Sequence, residues 1–134
     1  MRSIFLPSYS IGSESYSKIG EICKPYGKKI VVIGGKTALE KAEKKIKESL
    51  KNMEFEILET LWYGGEASFE NVERLEKEKS VKEADMIFAV GGGKALDACK
   101  LLSEQLNKPI FTFPTIASTC AAITTICVMY TKEG

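Results

Sequence analysis

The sequence predicts an α/β fold: a mainly parallel, Rossmann-like sheet with helices on both faces, followed by a β-rich C-terminal segment. Three observations carry the prediction. Short apolar, β-branched runs end in glycines. Amphipathic helical patterns begin directly after those glycines. Strand and helix patterns alternate with short connections along 134 residues, a length that suits one domain spanning 1–134.

The elements follow in order. Lys28-Lys29-Ile30-Val31-Val32-Ile33-Gly34-Gly35 is an apolar run closed by glycines, the pattern of a buried parallel strand. Residues 36–51 then place Leu39, Ala42, Ile46 and Leu50 on one helical face, with Glu40–Lys44 and Glu43–Lys47 as i,i+4 pairs on the solvent side. Residues 55–58 read as a strand of mixed exposure. Gly64-Gly65 breaks the chain, and Ser68 caps a helix running to residue 79 with Val72 and Leu75 inward. Its Glu70–Arg74 and Glu73–Lys77 pairs form a solvated face. Residues 84–90 form the next buried strand and lead into Gly91-Gly92-Gly93. A helix over 94–106 carries Leu96, Cys99, Leu102 and Leu106 on one face, and 108–113 is the following strand. Beyond it, residues 115–120 are small and hydroxyl-rich, 123–130 are β-rich, and 131–134 resemble a hairpin turn with no returning strand. A strand and turn without a partner give the expectation of a chain that is cut rather than finished.

Composition narrows the function. Hydrophobic residues make up 44% and charged residues 28%, as in ordinary globular domains, and the net charge of +1 offers no basic surface for nucleic acid or anionic membrane. The first residues are too short an apolar run for a signal peptide, and no stretch has transmembrane length, so the cytoplasm is expected. Cys23, Cys99, Cys120 and Cys127 show no C-x-x-C spacing. The chain has no histidine, so it builds neither a Ser-His-Asp nor a Cys-His mechanism by itself.

The strongest local signal is Val90-Gly91-Gly92-Gly93-Lys94-Ala95-Leu96-Asp97, set between a buried strand and a helix. Glycines let the backbone turn sharply and approach a ligand, and the helix N-terminus presents free N–H groups and a positive dipole end to an anion. Lys94 adds a formal charge. A pyrophosphate suits such a loop, although a glycine turn serving only helix–strand packing gives the same string. Two familiar phosphate motifs do not match: Ala95 follows Lys94 where Ser or Thr would complete G-x-x-x-x-G-K-[ST], and Leu96 replaces the last glycine of G-x-G-x-x-G. Asp97 sits one turn further on, where a carboxylate favours the helix dipole whether or not it meets a ribose.

Gly91-Gly92-Gly93-Lys94-x-x-Asp97-x-x-Lys100, followed by Phe113-Pro114-Thr115-Ile116-Ala117-Ser118-Thr119, resembles the glycerol dehydrogenase branch of the iron-containing alcohol dehydrogenases. Residues 33–39 and Gly64-Gly65-Glu66-Ala67-Ser68 are similar to the same branch. The resemblance implies a first domain that binds NAD or NADP and a second, helical domain whose aspartate and two histidines hold Zn²⁺ or Fe²⁺. That ion polarises the alcohol oxygen for hydride transfer. The helical metal-binding domain is expected to be absent here, so no catalytic or metal-binding residue is expected in this chain and the chain alone is expected to be inactive. The full-length enzyme is expected to be a homo-oligomer acting on a small alcohol or 2-oxo acid, with no nucleic-acid or membrane partner.

Carried over by motif, Gly92, Gly93 and Lys94 line the pyrophosphate site and Gly91 sets its turn. Asp97 lies near the nicotinamide-side ribose, Thr115 and Ser118 lie close to the cofactor, and Thr124, Ile126 and Tyr130 flank the nicotinamide or its ribose. An ordinary hydroxyl-rich turn and strand packing are the alternatives for these last five. Two departures stand out. Cys120 occupies a position where glycerol dehydrogenases commonly carry a polyol-binding aspartate. A thiol there resembles the hydroxycarboxylate dehydrogenases and points to an anionic 2-oxo acid, unless Cys120 is only a packing residue. Gly34-Gly35-Lys36-Thr37 lacks the acidic residue that often holds an adenosine 2′-hydroxyl, which leaves Lys36 either to meet a 2′-phosphate or to stand exposed. Two other functions compete with the dehydrogenase: a stand-alone nucleotide-binding module, and a dehydroquinate synthase-like lyase. Residues 117–120 and 37–39 favour the dehydrogenase over the lyase.

Overall fold

The computed structural model describes residues 20, 23–51, 53–116, 121–122 and 127–129. A 3₁₀ turn at Lys24–Tyr26 precedes β1 (Lys29–Gly34), α1 (Lys36–Ser49), β2 (Glu56–Trp62), α2 (Phe69–Glu76), α3 (Lys79–Glu83), β3 (Met86–Gly91), α4 (Gly93–Leu106) and β4 (Ile110–Ile116). Two short strands, β5 (Ala121–Ala122) and β6 (Cys127–Met129), follow.

The strands β2, β1, β3 and β4 pair in that order, all parallel, while β5 and β6 pair antiparallel with β4. This is the expected sheet. Its buried strands alternate strictly. Ile30, Val32, Met86, Phe88, Val90, Phe111 and Phe113 face the core under α1, which contributes Leu39, Ala42 and Ile46. Val31, Ile33, Ile87, Ala89 and Ile110 face the other way, against Val72 of α2, Val81 of α3 and the Ala95–Ala98–Cys99–Leu102 stripe of α4. The period of two in a strand buried on both faces explains why β1 and β3 read as continuous apolar runs. Phe88 sits between Phe111 and Phe113, with ring centroids 5.5 and 5.1 Å away. Each such buried side chain contributes about 1.5–3 kcal/mol relative to exposure.

Four elements differ from the sequence expectation, one of them β4, which starts at Ile110 and runs on through Thr115 to Ile116 instead of spanning 108–113. β2 extends to Trp62 instead of ending at residue 58, because Thr60, Leu61 and Trp62 keep pairing with Val32, Ile33 and Gly34 after a register shift beyond Ile30. The helix expected to run to residue 79 ends at Glu76, Glu78 turns out of its path, and a second short helix, α3, begins at Lys79. The Lys108 ammonium explains the placement of α3: it donates to the carbonyls of Val81, Lys82 and Ala84 at 2.6, 2.8 and 2.6 Å, gathering the C-terminal end of that short helix. Along α4 the buried face is shifted toward small residues, with Ala95, Ala98, Cys99, Leu102 and Ser103 inside and Leu96 and Leu106 half-buried.

At the N-terminal edge of the sheet, the Asp85 carboxylate accepts the Lys28 and Lys29 amides, each at 3.0 Å. These bonds, that of Lys29 first, hold its carboxyl below the usual carboxylate range. Among the described residues no helix is long and apolar enough to cross a membrane.

Candidate functional site

The chain order of the parallel strands reverses between β1 and β3. From β1 the chain passes through α1 to β2 on one side, then crosses back through α2 and α3 to β3 on the other. Such a reversal opens a crevice at the carboxyl ends of the two strands, where open α/β sheets bind ligands.

Backbone contact closes the floor of this crevice. A Cβ on Gly34 would stand 2.1 Å from the Val90 carbonyl oxygen, and the Gly35 amide donates to that same oxygen at 3.2 Å. Gly91 has φ +142°, a conformation L side chains rarely adopt, and its turn brings the first residues of α4 back over β3. Gly92 and Gly93 are different. Neither has a positive φ, and a Cβ at either would meet no protein atom within 4 Å. The protein does not require glycine at these two places. A ligand seated over the start of α4 would.

Two helices begin at the crevice without caps of their own. The N-cap of α1 is Gly35 and that of α4 is Gly92, and neither supplies a side-chain acceptor. By contrast, Ser68 at the start of α2 accepts the Asn71 amide at 3.2 Å. Uncapped amides and two positive dipole ends converge on one place, the arrangement that binds anions. The resulting cleft has a volume of about 360 Å³. It is lined by Gly35, Lys36, Thr37 and Ala38 from the start of α1, Tyr63 after β2, and residues 91–95.

Two lysines supply its formal charge. Lys94 reaches across to Glu66, Nζ to Oε1 3.2 Å, with both side chains well exposed. The Glu66 loop is fixed by positive-φ residues Gly64 and Gly65 and by the Asn71 side-chain amide donating to the Glu66 carbonyl at 2.8 Å. Lys36 instead lies over the Trp62 ring, 4.4 Å from its centroid. Trp62 is 43% exposed at the end of β2.

Of the residues expected at the site, Gly91, Gly92, Gly93 and Lys94 are brought together in this cleft. Asp97 is exposed on α4 and lies outside the cleft lining. The backbone of Thr115 follows Pro114, the β4 partner of Gly91, so it stands beside the glycine loop. Ser118, Cys120, Thr124, Ile126 and Tyr130 lie outside the described residues, as does the expected hairpin turn over 131–134. Tyr63, Trp62 and Glu66 were not expected at the site. The signal for them was Trp62-Tyr63-Gly64-Gly65-Glu66 itself, an aromatic pair and an acid around a double glycine, legible only once β2 is carried to its full length.

The rest of the described molecule offers less. A cleft of about 380 Å³ lined by Lys24, Gly27, Lys28, Met53, Glu54 and Phe55 lies at the opposite edge of the sheet, where Lys28 already pairs with Glu54 at 3.1 Å. Burial pushes the Cys99 thiol up to about 12 and raises Cys23 as well, so neither is a nucleophile at neutral pH. Among the described residues no group of three or more His, Cys, Asp or Glu side chains is gathered as a metal site.

The model of the iron-containing alcohol dehydrogenases matches residues 7–134. The chain is 33% identical over 126 residues to a glycerol dehydrogenase of Escherichia coli O6:H1, covering 94% of this chain and 34% of that protein. It is 34% identical over 111 residues to a glycerol-1-phosphate dehydrogenase [NAD(P)+] of Thermoplasma volcanium, covering 78% and 31%. The crystal structure of glycerol dehydrogenase from Schizosaccharomyces pombe superposes with a TM-score of 0.72 at 27% identity, covering 87% of this chain and 30% of that one. The chain thus spans about a third of the length of the curated relatives it matches.

Proposed function

The chain belongs to the iron-containing alcohol dehydrogenase family, in its glycerol dehydrogenase branch, and from that premise we propose that it is the nicotinamide-dinucleotide-binding domain of a metal-dependent oxidoreductase. The substrate class is a polyol such as glycerol or a small 2-hydroxy or 2-oxo acid. One observation carries the reading: Gly92 and Gly93 leave open space over an uncapped helix N-terminus at the crevice between β1 and β3.

In this reading the pyrophosphate lies in that space. The amides at the start of α4 donate to its oxygens, Gly91 sets the approach, and the Lys94 ammonium leaves Glu66 to neutralise the bound charge. Asp97 serves the nicotinamide-side ribose. Thr115, Ser118, Thr124, Ile126 and Tyr130 are the residues proposed to serve the nicotinamide half, and Cys120 the substrate. The position of the Thr115 backbone beside Gly91 supports that assignment for Thr115. A nicotinamide held there would supply hydride transfer between the alcohol carbon and the ring. The work of this chain is to fix the ring's position through the phosphates and riboses. We further propose that the working enzyme is a cytoplasmic homo-oligomer.

Gly93→Leu tests the reading. The position is helical and open, so the variant should fold with unchanged or slightly raised stability, by up to about 1 kcal/mol. It should lose calorimetric binding of NADH and NADPH. A Gly93→Leu chain that binds both as the parent does would remove the glycine loop from the site.

A further inference from the structure

The helix starts at the cleft exclude acids, and one acid is then brought to them from another element. Neither α1 nor α4 has an acidic residue in its first turn, although the helix dipole favours carboxylates there. The start of α2, which does not line the cleft, does carry one, Glu70. Glu66, in the loop between β2 and α2, sets its carboxylate 3.2 Å from the Lys94 ammonium. The backbone of that loop is held in place. Gly64 and Gly65 have φ +109° and +95°, and an added Cβ on Gly64 would stand 2.3 Å from Asn71 Cγ. The Asn71 side chain donates to the Glu66 carbonyl, and its backbone amide donates to Ser68 Oγ. A ligand that claims Lys94 therefore displaces only the Glu66 side chain, and the negative charge stays beside the phosphates.

A loop built for a terminal, multiply charged phosphate gathers cations around it. Here a carboxylate is set against the lysine instead. A phosphate esterified on both sides, as in a dinucleotide, carries one negative charge, whereas a terminal phosphate carries up to two. We propose that Glu66 is a specificity residue of the 91–94 site, which makes the site favour doubly esterified phosphates over terminal ones. This rests on the dinucleotide reading above and adds which anions the loop admits. The carboxylate competes with every ligand for Lys94, and it repels the second charge of a terminal phosphate in addition.

ADP-ribose and ADP are the matched probes, because their β-phosphates differ by one ester and hence by one charge. Calorimetric titrations of the 134-residue chain compare the two in the parent and in Glu66→Gln. The Glu66 side chain is exposed and the variant keeps the backbone bond to Asn71, so it should fold. ADP-ribose should bind about two- to fivefold more tightly to the variant, the range of an exposed ion pair. ADP should gain a further factor of about two to three for its extra charge, so the preference for ADP-ribose shrinks. Both gains should fade in about 1 M salt, where the Debye length falls to about 3 Å. A role for Glu66 in the shape of the loop alone would leave them in place. Weaker binding of ADP-ribose by Glu66→Gln would make Glu66 a positioner of Lys94 and overturn the inference. So would a preference that the substitution leaves unchanged, or gains that persist in high salt. Each of these results leaves the dinucleotide reading standing. Binding of neither nucleotide by parent or variant overturns both.

Discussion

Gly34→Ala should damage the fold and the site together, although it adds one methyl group. The new Cβ would stand 2.1 Å from the Val90 carbonyl oxygen, 3.0 Å from its carbon and 3.1 Å from Val90 Cβ. Two of these three atoms are backbone of a central strand, so no side-chain rotation relieves the contact. The gap to oxygen must open to the 3.4 Å at which ordinary contact begins. Opening it pulls apart the Gly34–Val90 pairing and the bond from the Gly35 amide to Val90. Overpacking of this kind costs about 1–3 kcal/mol, and a buried carbonyl or amide left without its partner costs about 1–3 kcal/mol more. The smaller conformational freedom of alanine in the unfolded chain returns about 0.4–1 kcal/mol. The net expectation is a loss of about 2–4 kcal/mol, a large part of the stability of a small domain. Urea unfolding followed by circular dichroism measures it. Gly35→Ala is the control, because its Cβ meets nothing closer than 4.0 Å and should cost less than about 1 kcal/mol. A Gly34→Ala chain within about 0.5 kcal/mol of the parent, or a control equally destabilised, would refute the argument that the strand ends touch through backbone.

Other consequences can be measured with the same material. Lys108→Met keeps the length of the side chain but strips three carbonyls of their donor, so α3 should loosen at a cost of about 2–4 kcal/mol. Hydrogen exchange of the 79–85 amides should rise before that of β3, and unchanged protection there would show that α3 does not depend on the ammonium. Asp85 has its carboxyl held below the usual range, so its stabilisation is full above the ordinary carboxylate pKa and is lost as pH falls through the lowered one. Thermal melts from pH 6 to pH 2 should therefore fall less steeply for Asp85→Asn than for the parent; equal slopes would assign the acid sensitivity elsewhere. Cys99 is fully buried with its thiol near 12, so peptide mapping after mild alkylation should find it unmodified in the folded chain and labelled in urea.

The central strands were legible in the sequence because burial on both faces leaves one signature, a short β-branched run closed by glycine. The same holds for the Gly91 turn and the helix after it, since a turn of positive φ selects glycine locally and the helix carries its own apolar period. β2 was harder. It pairs with β1 alone among the described strands, so its half-buried side chains give neither a continuous apolar run nor a clean alternation. The separate helix α3 left no mark in a continuous ladder of charges, because the group that gathers its C-terminal end is Lys108, more than twenty residues away in the chain.

The site divides in the same way. Local sequence determined that a glycine turn leads into an uncapped helix at residues 91–93, because backbone conformation and helix capping are decided within a few residues. Only the tertiary structure decided what surrounds it. The reversal of strand order places Gly34 against Val90, the return through α2 and α3 brings Lys94 to Glu66, and the parallel pairing of β2 with β1 sets Trp62 beside Lys36. These pairs join residues some 25–60 positions apart. No local propensity encodes such distances; they follow from the order in which parallel strands bury both faces of one sheet.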